Sequence, residues 1–161
     1  MNKSSVDNDY IRNAISEYAD TVYRVAYQYL LSSADAEDVA QEVFLALCKR
    51  GKIEGDEQIK AWLIRVTINK SINTYRANKH RRDRTVPLDE RASVAVTPSY
   101  ELEQALSELS AEDRELVYLH YFEGYKAEEI AKILKCTKST VHKRLSRARQ
   151  KLKKFLEDSD E

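Results

Sequence analysis

The sequence predicts an all-α protein: two small helical domains joined by a linker. Three observations lead there. The 161 residues include only three Gly and two Pro, too little turn material for a many-stranded β-fold. A charged fraction of 34% beside 42% hydrophobic residues suits amphipathic helices. Apolar residues recur at spacings of three and four along most of the chain, and both prolines fall in one aperiodic stretch, 84–99.

Taken in order, Ile11, Ile15, Tyr18, Val22, Val25 and Tyr29 share one helical face and predict a helix over about 10–31. Ser32 and Ser33 offer an N-cap, with Asp35 three residues after Ser32 as in a capping box. The stripe Ala36, Val39, Ala40, Val43 and Leu47 carries a second helix to about Lys49. Gly51 and Gly55 bracket a turn, and Ile59, Trp62, Leu63, Val66 and Ile72 carry a third helix to Arg76 or beyond. These three helices form a first domain, 1–83, and the Pro-containing segment 84–99 reads as an extended linker to a second domain, 100–161.

The second domain opens with a short helix on Leu102, Ala105, Leu106 and Leu109. Ser110 with Asp113 caps the next helix, whose inner face is Leu116, Val117 and Tyr121, and Gly124 ends it. A helix over about 126–134 (Ile130, Ala131, Leu134) leads through Lys135-Cys136-Thr137 to a longer helix with Val141, Leu145, Ala148, Leu152 and Phe155 inward. That is a helix-turn-helix pattern. Cys48 and Cys136, far apart and outside any Cys-x-x-Cys or Cys/His cluster, read as small core residues, so neither a disulfide framework nor a metal site is expected.

The net charge of zero conceals alternating bands. Residues 60–84 carry eight Lys/Arg against Asp83 alone, and 135–154 carry nine Lys/Arg and no acid. Two separated basic bands in register with helices point to two contacts with a polyanion. In the longer carboxy-terminal helix an inward Val141, Leu145 and Ala148 leave Lys138, Ser139, His142, Lys143, Arg144 and Arg147 outward. Thr137 at its N-cap would aim free backbone N–H groups at a phosphate, while Arg and Lys can donate to guanine O6 and N7. The expected activity is therefore DNA binding through a recognition helix.

Nothing in the sequence is arranged for catalysis. His80, His120 and His142 fall on different predicted helices without a paired nucleophile, and Gly51, Gly55 and Gly124 match no phosphate-binding loop. Neither an enzyme nor a cofactor is predicted. No apolar run approaches the ~20 residues needed to cross a bilayer, and Met1-Asn2-Lys3-Ser4 begins no signal-peptide pattern, so the expected location is cytoplasmic, without membrane insertion.

The stretch Tyr125-Lys126-Ala127-Glu128-Glu129-Ile130-Ala131, continued by Thr140-Val141-His142-Lys143-Arg144-Leu145-Ser146-Arg147-Ala148-Arg149, resembles region four of the extracytoplasmic-function sigma factors of bacterial RNA polymerase. Asp35-Ala36-Glu37-Asp38-Val39-Ala40-Gln41-Glu42-Val43-Phe44 is similar to the family's region two, and Ala61-Trp62-Leu63-Ile64-Arg65-Val66-Thr67-Ile68-Asn69 to the segment after it. Two departures stand out: Lys126 replaces the usual capping Ser or Thr, and Ser139 stands where Gly is frequent.

The resemblance implies a promoter-specificity subunit with three kinds of partner: core polymerase (β′ clamp helices and β flap), promoter DNA, and an anti-sigma factor, often membrane-anchored. Asp38, Gln41, Glu42 and Leu45 would contact polymerase, on a helix face opposite the core stripe. Asp35 and Glu37 are read instead as solvated acids complementing the helix dipole. In the family, the minus-ten element is melted and an unstacked base is trapped by the loop before the third helix, here Gly51–Gln58, including Lys52. Arg65, Asn69, Lys70, Asn73, Arg76, Lys79, Arg81 and Arg82 would follow the single strand. Trp62 is open between core residue and base-stacking wedge, and Asn69 between base contact and satisfied buried amide. For the minus-thirty-five element the implied readers are Lys138, Ser139, Thr140, His142, Lys143 and Arg144, with Thr137, Arg147, Arg149 and Lys151 on phosphates. Two other readings compete: a stand-alone helix-turn-helix regulator, which needs no second basic band, and a protein-binding helical adaptor, which needs neither band.

Overall fold

The computed structural model describes residues 3–82 and 100–159, with side chains over 7–78 and 101–158. It divides into two compact units, Met1–Glu90 and Arg91–Glu161. The linker 84–99 lies outside the described residues. Among those described, all regular structure is helical, and no helix is long and apolar enough to cross a membrane.

The first unit packs α1 (Lys3–Leu30), α2 (Ser33–Arg50) and α3 (Asp56–Arg82), each against the other two. Its core joins Tyr18, Val22, Val25 and Leu30 to Val39, Val43, Phe44 and Leu47, and to Ile59, Leu63, Ile64 and Ile68. Truncating one of the fully buried leucines, such as Leu47 or Leu63, would cost about 2–5 kcal/mol. Ile15 departs from the expected stripe. It is 40% exposed, and Ala14, one turn before Tyr18, takes the inward place. Spacings of three and four admit either neighbour, and the packed register selects the smaller one.

Leu31 ends α1 with φ 53°, its N–H donating to the Tyr27 carbonyl at 2.7 Å. Ser32 then caps α2, accepting from the Asp35 N–H at 3.2 Å. The Asp35 side chain does not close the box. It accepts instead from Asn78 Nδ2 at 3.1 Å, tying the start of α2 to the far part of α3. The connection between α2 and α3 is shorter than the expected Gly51–Gln58. Asp56, Glu57 and Gln58 already form the first turn of α3, where two acids favour the helix N-terminus, leaving a loop of 51–55.

The second unit contains α4 (Tyr100–Ser107), α5 (Ala111–Val117), a π-helical segment Tyr118–Phe122, α6 (Ala127–Leu134) and α7 (Lys138–Ser159). Ser110 caps α5 by accepting from the Asp113 N–H. The π segment is a feature the spacing does not reveal. Its wider turn rotates Tyr121, expected inward, out to 51% exposure, while Leu119 enters the core and Tyr118 stacks on Phe122 at 5.5 Å. Gly124, at φ 73°, follows the segment in a conformation that costs glycine little.

Between α6 and α7, Lys135 adopts φ 54° and the Cys136 N–H donates to the Ala131 carbonyl at 2.9 Å, making the tight turn of the helix-turn-helix. Val141, Leu145 and Ala148 seat α7 against Ile130 and Leu116 in one core, with Leu152 and Phe155 half-buried farther along. Neither cysteine is a core residue. Cys48 is exposed because it follows the inward Leu47 on α2, and Cys136 is half-buried because it sits in the turn.

Candidate nucleic-acid interfaces

The exposed row of α7 is set by short-range contacts. Thr137 Oγ1 accepts from the Thr140 N–H at 3.1 Å and lies 2.8 Å from Thr140 Oγ1, so the threonine pair closes the helix start. The Val141 N–H reaches the Thr137 carbonyl at 3.2 Å, beginning the helical ladder. With Val141, Leu145 and Ala148 buried, Lys138, Ser139, His142, Lys143, Arg147, Arg149 and Lys151 are exposed, and Thr140 and Arg144 are half-buried at the margin.

Two of these cations are engaged within the unit. Lys138 Nζ donates to Glu128 Oε1 at 2.7 Å, bridging α6 and α7, and this hydrogen bond holds the Glu128 carboxyl below its usual range. Arg149 donates to the Tyr121 hydroxyl at 3.3 Å. Lys126, at the N-cap of α6, offers no side-chain acceptor. Its own N–H donates to Glu129 Oε2 at 3.4 Å, a long half of a capping box, so α6 is capped from inside the helix.

Beneath this surface lies a pair of buried charges that sequence reasoning did not single out. Arg114 is 4% exposed and donates to the Leu109 carbonyl at 3.1 Å. Glu115 is 1% exposed, and neither carboxylate oxygen has a hydrogen-bond partner. Burial pushes its carboxyl well above the usual range, with the neighbouring Arg114 only partly opposing. Charge in a helical segment ordinarily reads as solvated surface, so the residue type hid this position.

In the first unit Asp38, Gln41, Glu42 and Leu45 are all exposed on α2, Leu45 at 61%. Glu42 lies 3.9 Å from Lys70 of α3, a loose pair linking the acidic helix to the basic one. Along α3, Asn69, Asn73 and Arg76 are exposed, and Arg65 and Lys70 half-buried. Asn69 is thus not a buried amide. Trp62 is half-buried rather than a core residue, with the Arg50 guanidinium 5.8 Å from its ring centroid. Lys52 is exposed, 3.6 Å from Glu54 in the loop. The α3 backbone runs through Lys79, Arg81 and Arg82, whose side chains lie outside those described. Asp35, expected to be solvated, is instead the acceptor for Asn78.

The same unit contains contacts that no spacing announces. The Tyr10 hydroxyl meets both backbone groups of Ile53, and the Tyr18 hydroxyl donates to the Asp56 carbonyl at 3.3 Å. Burial, with Glu17 and Asp56 nearby, raises the Tyr18 phenol. Among the described residues no group of three or more His, Cys, Asp or Glu is placed to hold a metal ion.

Two helical units, the second built around a helix-turn-helix with an exposed cationic row, have the form of a DNA-binding protein. Comparison with known proteins narrows this. Residues 14–81 match the family model for Sigma-70 region 2, and residues 99–152 that for Sigma-70, region 4. RNA polymerase sigma factor SigV of Bacillus subtilis is 29% identical over 152 residues, covering 92% of this chain and 92% of the relative. The ECF RNA polymerase sigma factor SigE of Mycolicibacterium smegmatis is 31% identical over 153 residues, covering 88% of this chain and 60% of the relative. Among solved structures, the sigma factor RpoE in complex with the anti-sigma factor NepR from Bartonella quintana shares the fold with a TM-score of 0.70 at 24% identity, over 91% of this chain and 96% of that one. The chain belongs to the sigma-70 family of RNA polymerase sigma factors, in its extracytoplasmic-function group.

Proposed function

We propose that residues 1–83 dock on core RNA polymerase and open the minus-ten element, that 84–99 form the linker, and that 100–161 read the minus-thirty-five element. The observation that supports this reading most is the pairing of the exposed cationic row on α7 with an exposed acidic face on α2 and, beside it on α3, the half-buried Arg65 and Lys70 among the exposed Asn69, Asn73 and Arg76. A stand-alone regulator needs only the α7 surface. Asp38, Gln41, Glu42 and Leu45 are assigned to the β′ clamp helices. Lys52, Trp62, Arg65, Asn69, Lys70, Asn73, Arg76, Lys79, Arg81 and Arg82 are assigned to the melted strand.

The α7 row from Thr137 to Lys151 is assigned to duplex DNA, with Arg144 and Lys143 toward base edges and Arg147, Arg149 and Lys151 toward phosphates. Half-burial of Arg144 favours a fixed orientation, and the amides of Asn69 and Asn73 supply hydrogen-bonding groups that a purely ionic strip lacks. Melting draws its free energy from tighter binding of the open strand than of the duplex, since a ligand shifts an equilibrium only by differential affinity; the chain hydrolyses nothing. The site of action is the cytoplasm, in response to envelope or environmental stress. An anti-sigma factor covers the polymerase-binding and DNA-binding faces until a signal releases the protein; the similar RpoE of Bartonella quintana was solved in complex with an anti-sigma factor.

The test is transcription in vitro by purified bacterial core polymerase, with and without this protein, on sheared genomic DNA of the source organism, with start sites mapped. New starts sharing two spaced upstream motifs are expected. Absence of new starts, together with no complex with core on gel filtration, would overturn the reading in favour of a regulator.

A further inference from the structure

The loop between α2 and α3 takes its form from a side chain 43 residues away. Its ends are tied to the helices beside it: the Gly51 N–H donates to the Leu47 carbonyl at 2.9 Å, and the Gly55 carbonyl accepts from the Ile59 N–H at 3.1 Å. Gly51 and Gly55 have φ 86° and 91°, values at which any other side chain is strained. At Gly55 a Cβ would also fall 2.1 Å from Oε1 of Gln58, whose side chain folds over the glycine.

Between the two glycines, both backbone groups of Ile53 go to one atom. The Ile53 N–H donates to Tyr10 Oη at 3.0 Å, and the Tyr10 hydroxyl donates to the Ile53 carbonyl at 3.2 Å. No other hydrogen bond among the described residues reaches the backbone of 52–54. The Lys52–Glu54 pair, more than half exposed on both sides, contributes little. Two turns along α1 on the same face, Tyr18 grips the exit of the loop through the Asp56 carbonyl at 3.3 Å. A phenylalanine ring would fill the volume at position 10 as well as tyrosine does, so what the hydroxyl adds is the fixed placement of Ile53.

We propose that Tyr10 is a positioning residue for nucleobase capture: by clamping Ile53 it presents the 51–55 turn in one conformation to an unstacked base of the single DNA strand. This rests on the minus-ten reading above. An extruded base is discriminated by hydrogen bonds and close contacts at its edge, which demand a receptor of settled shape. A loop ordered before binding loses less entropy when the base arrives. Without the hydroxyl, both Ile53 groups turn to water, and the loop samples shapes that accept several bases.

The experiment uses full-length wild type, Tyr10→Phe and Tyr18→Phe, each assembled with core polymerase. The probes are fork-junction DNAs carrying the minus-ten element mapped from the new start sites, with every single-base change on the unpaired strand. In Tyr10→Phe the preference for the mapped base at one position is expected to fall about three- to tenfold, less than the full effect of the two hydrogen bonds lost with the hydroxyl because both Ile53 groups regain water. Core affinity stays within about twofold and Ile53 amide exchange rises, since the bond holding that amide is gone. Tyr18→Phe, whose bond reaches a helical carbonyl, shifts the same position less.

Unchanged base preference in Tyr10→Phe overturns the proposal, as does unchanged Ile53 exchange. A uniform loss of all binding together with core affinity also overturns it, because it marks Tyr10 as merely structural. If wild-type holoenzyme itself shows no preference at any position, the minus-ten reading has failed and the clamp falls with it.

Discussion

In the carboxy-terminal unit the contacts that shape the start of the proposed recognition helix are local, with only Arg149 held from farther off by Tyr121, whereas in the amino-terminal unit the contacts that shape the 51–55 turn come from afar. Thr137 closes on Thr140, Lys138 on Glu128, and the Cys136 N–H on Ala131, all within ten residues. Tyr10 reaches Ile53 and Asn78 reaches Asp35 across 43 residues, and Tyr18 reaches Asp56 across 38. A surface built from local contacts can be altered one side chain at a time. One built from three packed helices transmits a change in α1 to a loop that α1 does not contain.

The largest effect expected is on polymerase. Asp38→Arg with Glu42→Arg should lower affinity for core at least about a hundredfold, because like charges placed across an interface cost several kcal/mol. The fold should survive. Both substituted sites are exposed, and the Glu42–Lys70 contact at 3.9 Å is a loose pair with the Glu42 side in solvent, worth at most about 1 kcal/mol. Titration of labelled core with the double variant measures this, and wild-type affinity would remove α2 from the docking assignment.

Arg144→Ala probes the local surface. It should weaken promoter binding by about 1–3 kcal/mol, selectively for one base pair if Arg144 meets a base edge and uniformly across sequences if it meets phosphate. Discrimination at the minus-ten element should be untouched, since the contacts of Tyr10 and Tyr18 with the 51–56 segment are made within the first unit. Competition binding against promoters altered at single positions separates the two outcomes, and a coupled loss at the minus-ten element would break the contrast between the units.

The two units also differ in what they bury. The first buries Thr67, whose hydroxyl donates to the Leu63 carbonyl at 2.6 Å, and Ser71, while the second buries the unpaired Glu115. For an acid raised in the folded state, folding favours the protonated form. Stability is therefore full below the ordinary value of 4.5 and is lost as pH rises from there through the folded value. Glu115→Gln should remove that slope and raise stability near neutral pH by about 1 kcal/mol, less than a full unpaired charge costs because the amide is also unpaired. Exchange of α5 and α7 amides at about pH 4 and 7 reads this. An equal slope in the variant would show that another group carries the pH dependence.

This contrast also explains what could be read from residues alone. The caps Ser32, Ser110 and Thr137, the inward stripe Val141, Leu145 and Ala148, and the break at Gly124 are written in spacings of a few residues, where sequence and geometry coincide. The π-helical segment, which turns Tyr121 outward, leaves no such mark because one extra residue in a turn changes neither composition nor caps. Ile15 and Cys48 lie outside the core although spacing and residue type point them inward, because neighbours on a helix compete for one inward place and packing chooses between them. The Tyr10–Ile53, Tyr18–Asp56 and Asn78–Asp35 contacts were invisible for a different reason: each joins residues whose proximity exists only after three helices have packed.

The smallest expected effect tests whether the local surface is already in its binding form. Lys138 is committed to Glu128 at 2.7 Å, so to meet a phosphate it must leave a carboxylate that itself repels the DNA. Glu128→Gln frees the ammonium and removes the negative charge, and the bridge it deletes is an exposed one that contributes little to folding. Promoter affinity should therefore rise about two- to fivefold at low salt, with the gain fading as added salt screens both terms. Binding titrations across a salt series check the sign. A fall in affinity would mean that the Glu128–Lys138 bridge orients α7 for reading, and that even this unit relies on contacts between its helices rather than on the recognition helix alone.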